Sequence, residues 1–408
     1  MPLRWFQMDS DVVVVGAGIL GLATARELLA RHPDSNVLVL ERENEVGFHQ
    51  TGHNSGVIHA GIYYAPGSHK ARLCVEGARD MFEYCASHGI EHRRCGKLIV
   101  ATSEEELPRL DELERRGIAN QVPELRRVGA EDLQEIEPHA RGVAALYSPA
   151  TGVVDFTQVA RALAEDVKAA GGQLRLGTEV TGVDARDGDV RFRLASGEEL
   201  AASGAVFCCG PWSDRMAKAA GADPNPAIVP FRGAYLTLRP ERADLVKALI
   251  YPVPDPTLPF LGVHLSRHID DEVTIGPTAL MATTRDPRKR ASMRDLAAAL
   301  AWPGTWRMAR RWWRTGLTEI KHALLPRTLL RDARRYVPEL TLDDIAPGHS
   351  GIRAQALARD GSLIDDFVFS QTGRVLHVRN APSPAATASL AIAREIADQV
   401  EKAVLTPA

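Results

Sequence analysis

The 408-residue sequence predicts an α/β fold in which two domains are interleaved along the chain. Three observations predict it. A glycine-rich turn joins a β-branched strand to a helix near the N-terminus, a second strand–turn–helix lies near the C-terminus, and a group of predicted strands followed by helices separates them. Because a single hydrophobic core stops growing at roughly 250 to 300 residues, two domains are expected for this length.

The N-terminal motif has its parts in the required order. Residues 11–15 form a continuous valine-rich run after Asp11, which is typical of a parallel strand buried on both faces. The turn 16–21 (Gly-Ala-Gly-Ile-Leu-Gly) follows at once, and residues 22–31 are expected to form a helix. A second predicted strand, 36–40, ends at an acidic residue, Glu41. The order predicts a Rossmann-like, dinucleotide-binding turn.

Each glycine of the turn has a physical reason to be there. Gly16 permits the tight turn, Gly18 allows the backbone to approach a pyrophosphate, and Gly21 allows the helix to pack closely on the strand. The helix N-terminus presents N–H groups to the phosphates, and the Glu41 carboxylate accepts the ribose hydroxyls. The residues expected to contact the nucleotide are Gly16, Gly18, Ile19, Leu20, Gly21, Glu41 and Arg42. The motif alone does not distinguish FAD from NAD.

Other segments favour FAD. Residues 50–64 are rich in glycine and small polar side chains where a nicotinamide dehydrogenase would place its next helix, so they suit a loop beside a flat ring system. Residues 374–379 are a predicted strand, and a helix starting near Ser383 would stabilise negative charge on a reduced flavin; an ordinary capped helix is the alternative. The further residues expected to contact FAD are Thr51, His53, Asn54, Ser55, Gly56, Val180, Gly210, Ser383, Pro384, Ala385, Ala386 and Thr387.

These residues resemble a known family. The turn 16–21, residues 50–64 and residues 380–389 are similar to the D-amino-acid-oxidase-like FAD oxidoreductases, and within them to the L-2-hydroxyglutarate oxidase or dehydrogenase family. Cys95–Ala101, Pro230–Gly233, Pro259–His264 and Gly351–Gln355 extend the resemblance over nearly the whole chain.

The resemblance implies a Rossmann-like FAD-binding domain interleaved with an α+β substrate domain built on an antiparallel sheet. We expect residues 8–90, 150–220 and 346–408 to form the first domain, and residues 91–149 and 221–345 to form the second. It further implies noncovalent FAD and hydride transfer from C2 of L-2-hydroxyglutarate to flavin N5, which yields 2-oxoglutarate. The electrons would pass to a quinone, another carrier or oxygen.

The substrate-site candidates follow from the needs of this chemistry. A base must take the hydroxyl proton, and His59 and His264 are both candidates because imidazole titrates near neutrality. The resemblance places Arg353 near the flavin, where it contributes to the cofactor site and binds a carboxylate. Lys97 is a candidate second cation that would favour a diacid. Tyr63 and Tyr235 complete the expected substrate contacts, and Arg232 is a weaker candidate.

Two alternatives remain open from the sequence. An enzyme with the same fold would instead oxidise an amino acid, an amine or glycerol 3-phosphate. A protein of another class would be a membrane-docked flavin module that transfers electrons without oxidising a small acid.

Charge and composition bear on location. Fourteen Lys or Arg but only four acids lie within residues 285–335, and residues 302–314 hold four of the six tryptophans. Such a segment suits a bilayer interface, although buried tryptophans with snorkelling arginines would look the same, and no motif accompanies it that would indicate nucleic acid. Five cysteines without a C-x-x-C spacing indicate neither a disulfide framework nor a metal site. We expect a cytoplasmic protein, and peripheral contact with the cytoplasmic face of the inner membrane is one of the two interpretations of residues 302–314.

Overall fold

The computed structural model describes residues 9–185 and 188–402. The ends of the expected nucleotide-binding domain, residue 8 and residues 403–408, therefore lie outside the described residues.

Within those residues the strands are, in chain order, β1 (Ser10–Val15), β2 (Val37–Leu40), β3 (Val57–Ile58), β4 (His92–Arg93), β5 (Lys97–Ala101), β6 (Arg126–Gly129), β7 (Ala144–Ser148), β8 (Gly152–Val154), β9 (Gln173–Arg175), β10 (Val180–Asp184), β11 (Val190–Leu194), β12 (Glu199–Phe207), β13 (Ala227–Leu238), β14 (Leu249–Pro252), β15 (His264–Arg267), β16 (Val273–Gly276), β17 (Leu280–Met281), β18 (Ile345–Leu357), β19 (Val368–Thr372) and β20 (Val375–Asn380). The α-helices are α1 (Ile19–Arg31), α2 (His69–Ser87), α3 (Leu107–Ala119), α4 (Ala130–Ile136), α5 (Phe156–Ala169), α6 (Ser213–Ala219), α7 (Met293–Ala301), α8 (Pro303–Arg311), α9 (Trp313–Leu324), α10 (Pro326–Ala333) and α11 (Ser389–Val400).

The chain divides into two compact units. The first unit comprises the chain up to Gly52, Phe156–Val229 and the chain from Ala354, whereas the second comprises His53–Asp155 and Pro230–Arg353. The observed boundaries differ from the expected ones most over residues 53–90, which the sequence predicts to lie in the nucleotide-binding domain. The structure places this segment in the second unit, because β3 pairs with β8 and α2 contacts β4.

The first unit is organised around a mixed sheet. Strand β1 pairs in parallel with β12 on one side and with β2 on the other, and β12 also pairs in parallel with β20. Four consecutive valines in β1 are buried, as expected for a central strand. Helix α1 packs against α5 and α11. Strand β1 ends at Val15, directly before the glycine turn.

The second unit is built on a sheet with the strand order β17-β13-β16-β15-β14-β5-β7-β6, and β18 pairs with β13. The sheet is largely antiparallel, as expected, but β14 and β5 run parallel. Its core contains apolar side chains of β5, β15 and β16 together with residues of α10. A three-stranded sheet, β3-β8-β4, lies in the same unit.

Two predicted elements begin later than expected. The largely apolar residues 260–265 predict a strand from the sequence, but β15 begins only at His264. The helix expected near Ser383 is preceded by turns over residues 383–388, and α11 begins at Ser389. Among the described residues, no helix is both long and apolar enough to cross a membrane.

Candidate functional site

The glycine turn of the first unit has the shape required for a pyrophosphate. Gly16 adopts a φ of +107°, a conformation that side chains disfavour. A Cβ on Gly21 would lie 1.9 Å from the Gly16 carbonyl oxygen, so the helix could not pack here with any other residue. A Cβ on Gly18 would meet only the Thr51 hydroxyl, at 3.4 Å. The space over Gly18 and the start of α1 therefore fits a phosphate group.

Glu41 is held at the end of β2 by two backbone donors. Its carboxylate accepts hydrogen bonds from Ala17 N–H at 2.8 Å and from Glu43 N–H at 2.9 Å. Burial raises the pKa of this carboxyl, while the two N–H groups act in the opposite direction. Thr51 accepts from Ile19 N–H at 3.1 Å, which ties the segment after β2 to the turn. The residues present thus fit the dinucleotide that the sequence predicts.

Other predicted cofactor residues also lie in the first unit. The Arg42 guanidinium lies 3.6 Å from the ring centroid of Trp212, and Gly210 has a φ of +47°. Val180 is buried at the start of β10. Ser383, Pro384, Ala385, Ala386 and Thr387 form the turns that lead into α11. Leu20 lies in the first turn of α1.

The remaining predicted cofactor residues belong to the second unit. Asn54 accepts a hydrogen bond from Gly56 N–H at 2.8 Å, and Gly56 has a φ of +66°. His53 and Ser55 are half-buried. A Cβ on Gly351 of β18 would lie 2.6 Å from the His53 carbonyl oxygen, so this glycine allows the loop to approach the strand.

Lys97 and His59 come together in the second unit. Lys97 begins β5 and is only 1% exposed, and its Nζ lies 3.4 Å from Nδ1 of His59. Burial lowers the pKa of Lys97 to about 8. Burial also lowers the pKa of His59 well below its usual value, and the neighbouring Lys97 charge adds to this effect.

His264 lies in the same cluster and has a defined tautomer. Its Nδ1 lies 3.0 Å from the Gly262 carbonyl, and because a carbonyl only accepts, Nδ1 carries the proton. The imidazole stacks on Tyr251 with ring centroids 4.1 Å apart. Burial lowers the pKa of His264 to about 4, and the charges of Lys97 and Arg353 also lower it. The ring is therefore neutral at physiological pH.

Arg353 and two tyrosines complete the predicted set. Arg353 is exposed on β18, with its guanidinium 5.2 Å from the Phe260 ring centroid. Burial raises the pKa of Tyr235, and the positive charge of Arg353 acts in the opposite direction. The Tyr63 hydroxyl is buried without a hydrogen-bond partner among the described residues. Arg232 instead donates to Ser350 at 2.9 Å, which gives it a partner within the protein.

Sequence reasoning missed Tyr251 and Gly276. Tyr251 is 3% exposed, and its ring stacks on the imidazole of His264. The Nζ atom of Lys97 lies 4.2 Å from the centroid of the same ring. Gly276 pairs with His264 across β15 and β16. Only the strand register reveals either residue, since both lie in ordinary strand sequences far from the motifs.

Comparisons with known proteins identify the family of the chain. The family model described as FAD dependent oxidoreductase (DAO) matches residues 11–399. The mitochondrial L-2-hydroxyglutarate dehydrogenase of Homo sapiens is 45% identical over 96% of this chain and 89% of its own length. The L-2-hydroxyglutarate dehydrogenase of Escherichia coli K12 is 42% identical over 96% and 93%, respectively.

Solved structures show the same fold at lower identity. An FAD-bound L-α-glycerophosphate oxidase from Mycoplasma pneumoniae has a TM-score of 0.78 at 23% identity, covering 96% of this chain and 94% of the other. Glycine oxidase from Geobacillus kaustophilus has a TM-score of 0.70 at 21% identity, covering 96% and 95%. The chain belongs to the FAD-dependent oxidoreductase family and, within it, to the L-2-hydroxyglutarate dehydrogenases.

Proposed function

We propose that this protein oxidises L-2-hydroxyglutarate to 2-oxoglutarate with FAD as cofactor. Relatives named L-2-hydroxyglutarate dehydrogenase match nearly the whole chain. The main structural support for the proposal is the neutral imidazole of His264. Its pKa is lowered by burial and by the positive charges of Lys97 and Arg353. A 2-hydroxy diacid needs a base for its hydroxyl and positive charge for its carboxylates, and this cluster has both.

His264 is the base in this proposal. Because its Nδ1 proton is directed to Gly262, the lone pair is on Nε2, where it accepts the substrate hydroxyl proton. His59 has the opposite tautomer. Because a charged Lys97 can only donate, Nδ1 of His59 accepts the hydrogen bond and Nε2 carries the proton. His59 is thus a donor to the substrate rather than its base.

Arg353 orients the substrate through the carboxylate next to C2. Its planar fork matches a carboxylate with two parallel hydrogen bonds. Its exposure leaves the guanidinium accessible to an incoming acid.

When bound, FAD supplies the hydride acceptor for C2. We propose that it is held noncovalently, which acid precipitation tests: free flavin should remain in the supernatant.

We further propose that residues 302–314 contact the membrane surface, where a membrane quinone would be available as electron acceptor beside oxygen or another carrier. Trp306 is 62% exposed and Trp313 is 56% exposed, and Arg307, Arg310, Arg311 and Arg314 are exposed around them. Indole rings and arginines are both favoured at a bilayer interface. The double variant Trp306→Ser/Trp313→Ser should reduce cosedimentation with anionic vesicles, and equal cosedimentation would contradict the contact.

A substrate panel tests the proposed reaction against its alternatives. Wild-type protein is incubated with an artificial electron acceptor and L-2-hydroxyglutarate, its D-enantiomer, L-glycerol 3-phosphate, glycine or proline. We expect 2-oxoglutarate from the L-hydroxy acid and little turnover of the others. Turnover of the amino acids or the phosphate ester alone would favour the alternative substrates, and a flavin that none of them reduces would favour an electron-transfer module.

A further inference from the structure

Lys97 is a buried cation whose close contacts are a histidine and two aromatic rings. Its side chain contacts Nδ1 of His59 at 3.4 Å and the rings of Tyr251 and Tyr63, with Nζ 4.2 Å and 5.3 Å from their centroids. No acidic side chain pairs with it among the described residues. Burying an ammonium without an anion is costly, and aromatic faces offset only part of that cost. The site is therefore electrostatically incomplete until an anion binds.

Two neighbouring groups can help to bind that anion. The Tyr63 hydroxyl is buried without a partner, although a phenol normally finds one when it leaves water. His59, whose Nδ1 accepts from charged Lys97, has its proton on Nε2. Lys97, Tyr63 and His59 are thus all hydrogen-bond donors, which suits a carboxylate.

The sheet also brings residues of four neighbouring strands together beside this cluster. The register places Tyr251 of β14, His264 of β15, Gly276 of β16 and Tyr235 of β13 in one row across four strands. A Cβ on Gly276 would lie 3.0 Å from the Tyr235 ring, so the glycine and the tyrosine share a face. The missing side chain of Gly276 therefore lets the Tyr235 ring lie close to this strand, next to His264 in the row.

We propose that Lys97, Tyr63 and His59 form a subsite for the distal carboxylate of the substrate. This inference rests on the proposed oxidation of a 2-hydroxy acid, and it assigns the two cations separate tasks. Arg353 binds the carboxylate next to the reacting carbon, and Lys97 selects acids that carry a second one.

Binding of unreactive acids tests the subsite without relying on turnover. Glutarate and pentanoate have five carbons each and differ only in the distal carboxylate. Their dissociation constants are measured with FAD-loaded protein by the change in flavin absorbance. We expect glutarate to bind wild-type protein about 100-fold more tightly, and Lys97→Met to reduce this ratio to about threefold or less. Tyr63→Phe should reduce it by about tenfold.

Lys70→Met is the matched control. Lys70 is also a buried lysine, 5% exposed, and it lies over the ring of Tyr64. We expect Lys70→Met to change the ratio of the pentanoate and glutarate dissociation constants by less than about threefold. An equal loss in both variants would overturn the subsite, because the preference would then come from general positive charge. An unchanged ratio in Lys97→Met, with normal flavin content, would also overturn it.

Turnover separates this inference from the proposed function. If wild-type protein oxidises L-2-hydroxyglutarate while Lys97→Met retains the glutarate preference, the subsite is wrong and the function stands. If wild-type protein prefers glutarate through Lys97 but does not oxidise the hydroxy acid, the function is wrong and diacid binding stands. If L-glycerol 3-phosphate requires Lys97 and glutarate does not bind, the anion is a phosphate and the inference is overturned.

Discussion

The glycine turn of the first unit and the cation cluster of the second unit are built in different ways. The turn consists of backbone from one short segment, 16–21, where the missing side chains of Gly16 and Gly21 define the shape. The cluster consists of side chains from β5, β15, β18 and the loop after β3, which are far apart in sequence. A site made of local backbone is visible in a motif, whereas a site made of distant side chains depends on strand register.

Changing the turn should have the largest effect. In Gly21→Ala the new Cβ would lie 1.9 Å from the Gly16 carbonyl oxygen, so α1 must move away from the turn. We expect more than about 90% of the bound flavin to be lost, as measured by absorbance of the purified protein. Gly129→Ala is the control, because a Cβ there meets nothing within 4 Å. Normal flavin content in Gly21→Ala would refute the role of the turn.

Changing the base should leave binding intact and slow the chemistry. We expect His264→Gln to reduce flavin about 100- to 10,000-fold more slowly, since a general base contributes effects of this size. Glutarate affinity should change by less than about threefold. His59→Gln should affect the reduction rate less than His264→Gln. The reverse order would exchange the roles assigned to the two histidines.

Changing the arginine should weaken binding of both diacids and monoacids. Arg353→Lys keeps the charge but loses the planar fork, so we expect glutarate and pentanoate to bind about 10- to 100-fold more weakly. Titration of flavin absorbance gives both constants. If only glutarate weakened, Arg353 rather than Lys97 would bind the distal carboxylate.

The pH dependence should distinguish the two acids more modestly. Burial lowers the pKa of Lys97 from 10.5 to about 8, so its charge is present below that pH and is lost above it. Glutarate affinity should therefore fall by up to about tenfold for each pH unit above about 8, until the pH reaches the higher pKa that Lys97 has in the complex, while pentanoate affinity stays nearly constant. Parallel curves for the two acids would contradict the separate roles of the cations.

The sequence predicted the first unit better than the second. Strand β1, the turn and helix α1 follow from valines and glycines within some twenty residues, and the structure has them in that order. The helix near Ser383 and the strand at residues 260–265 begin later than predicted, because apolar runs do not define where hydrogen bonding begins.

The candidate site was only partly accessible to sequence reasoning. His59, Lys97, His264 and Arg353 were selected from their motifs, and their roles stay predictions. Tyr251 and Gly276 were missed because an aromatic residue and a glycine within strands have no distinctive pattern. Their positions beside His264 follow from the pairing of Ile250 with Leu265 and of His264 with Gly276.

The proposed function requires that the protein oxidise only the L-enantiomer of 2-hydroxyglutarate. Purified FAD-loaded protein is mixed without oxygen with a small excess of L- or D-2-hydroxyglutarate, and absorbance is followed at about 450 nm, where oxidised flavin absorbs. We predict that the L-enantiomer bleaches the flavin in a single turnover, with one 2-oxoglutarate formed per flavin, and that the D-enantiomer does not. Equal bleaching by both enantiomers, or by neither, would contradict the proposed function.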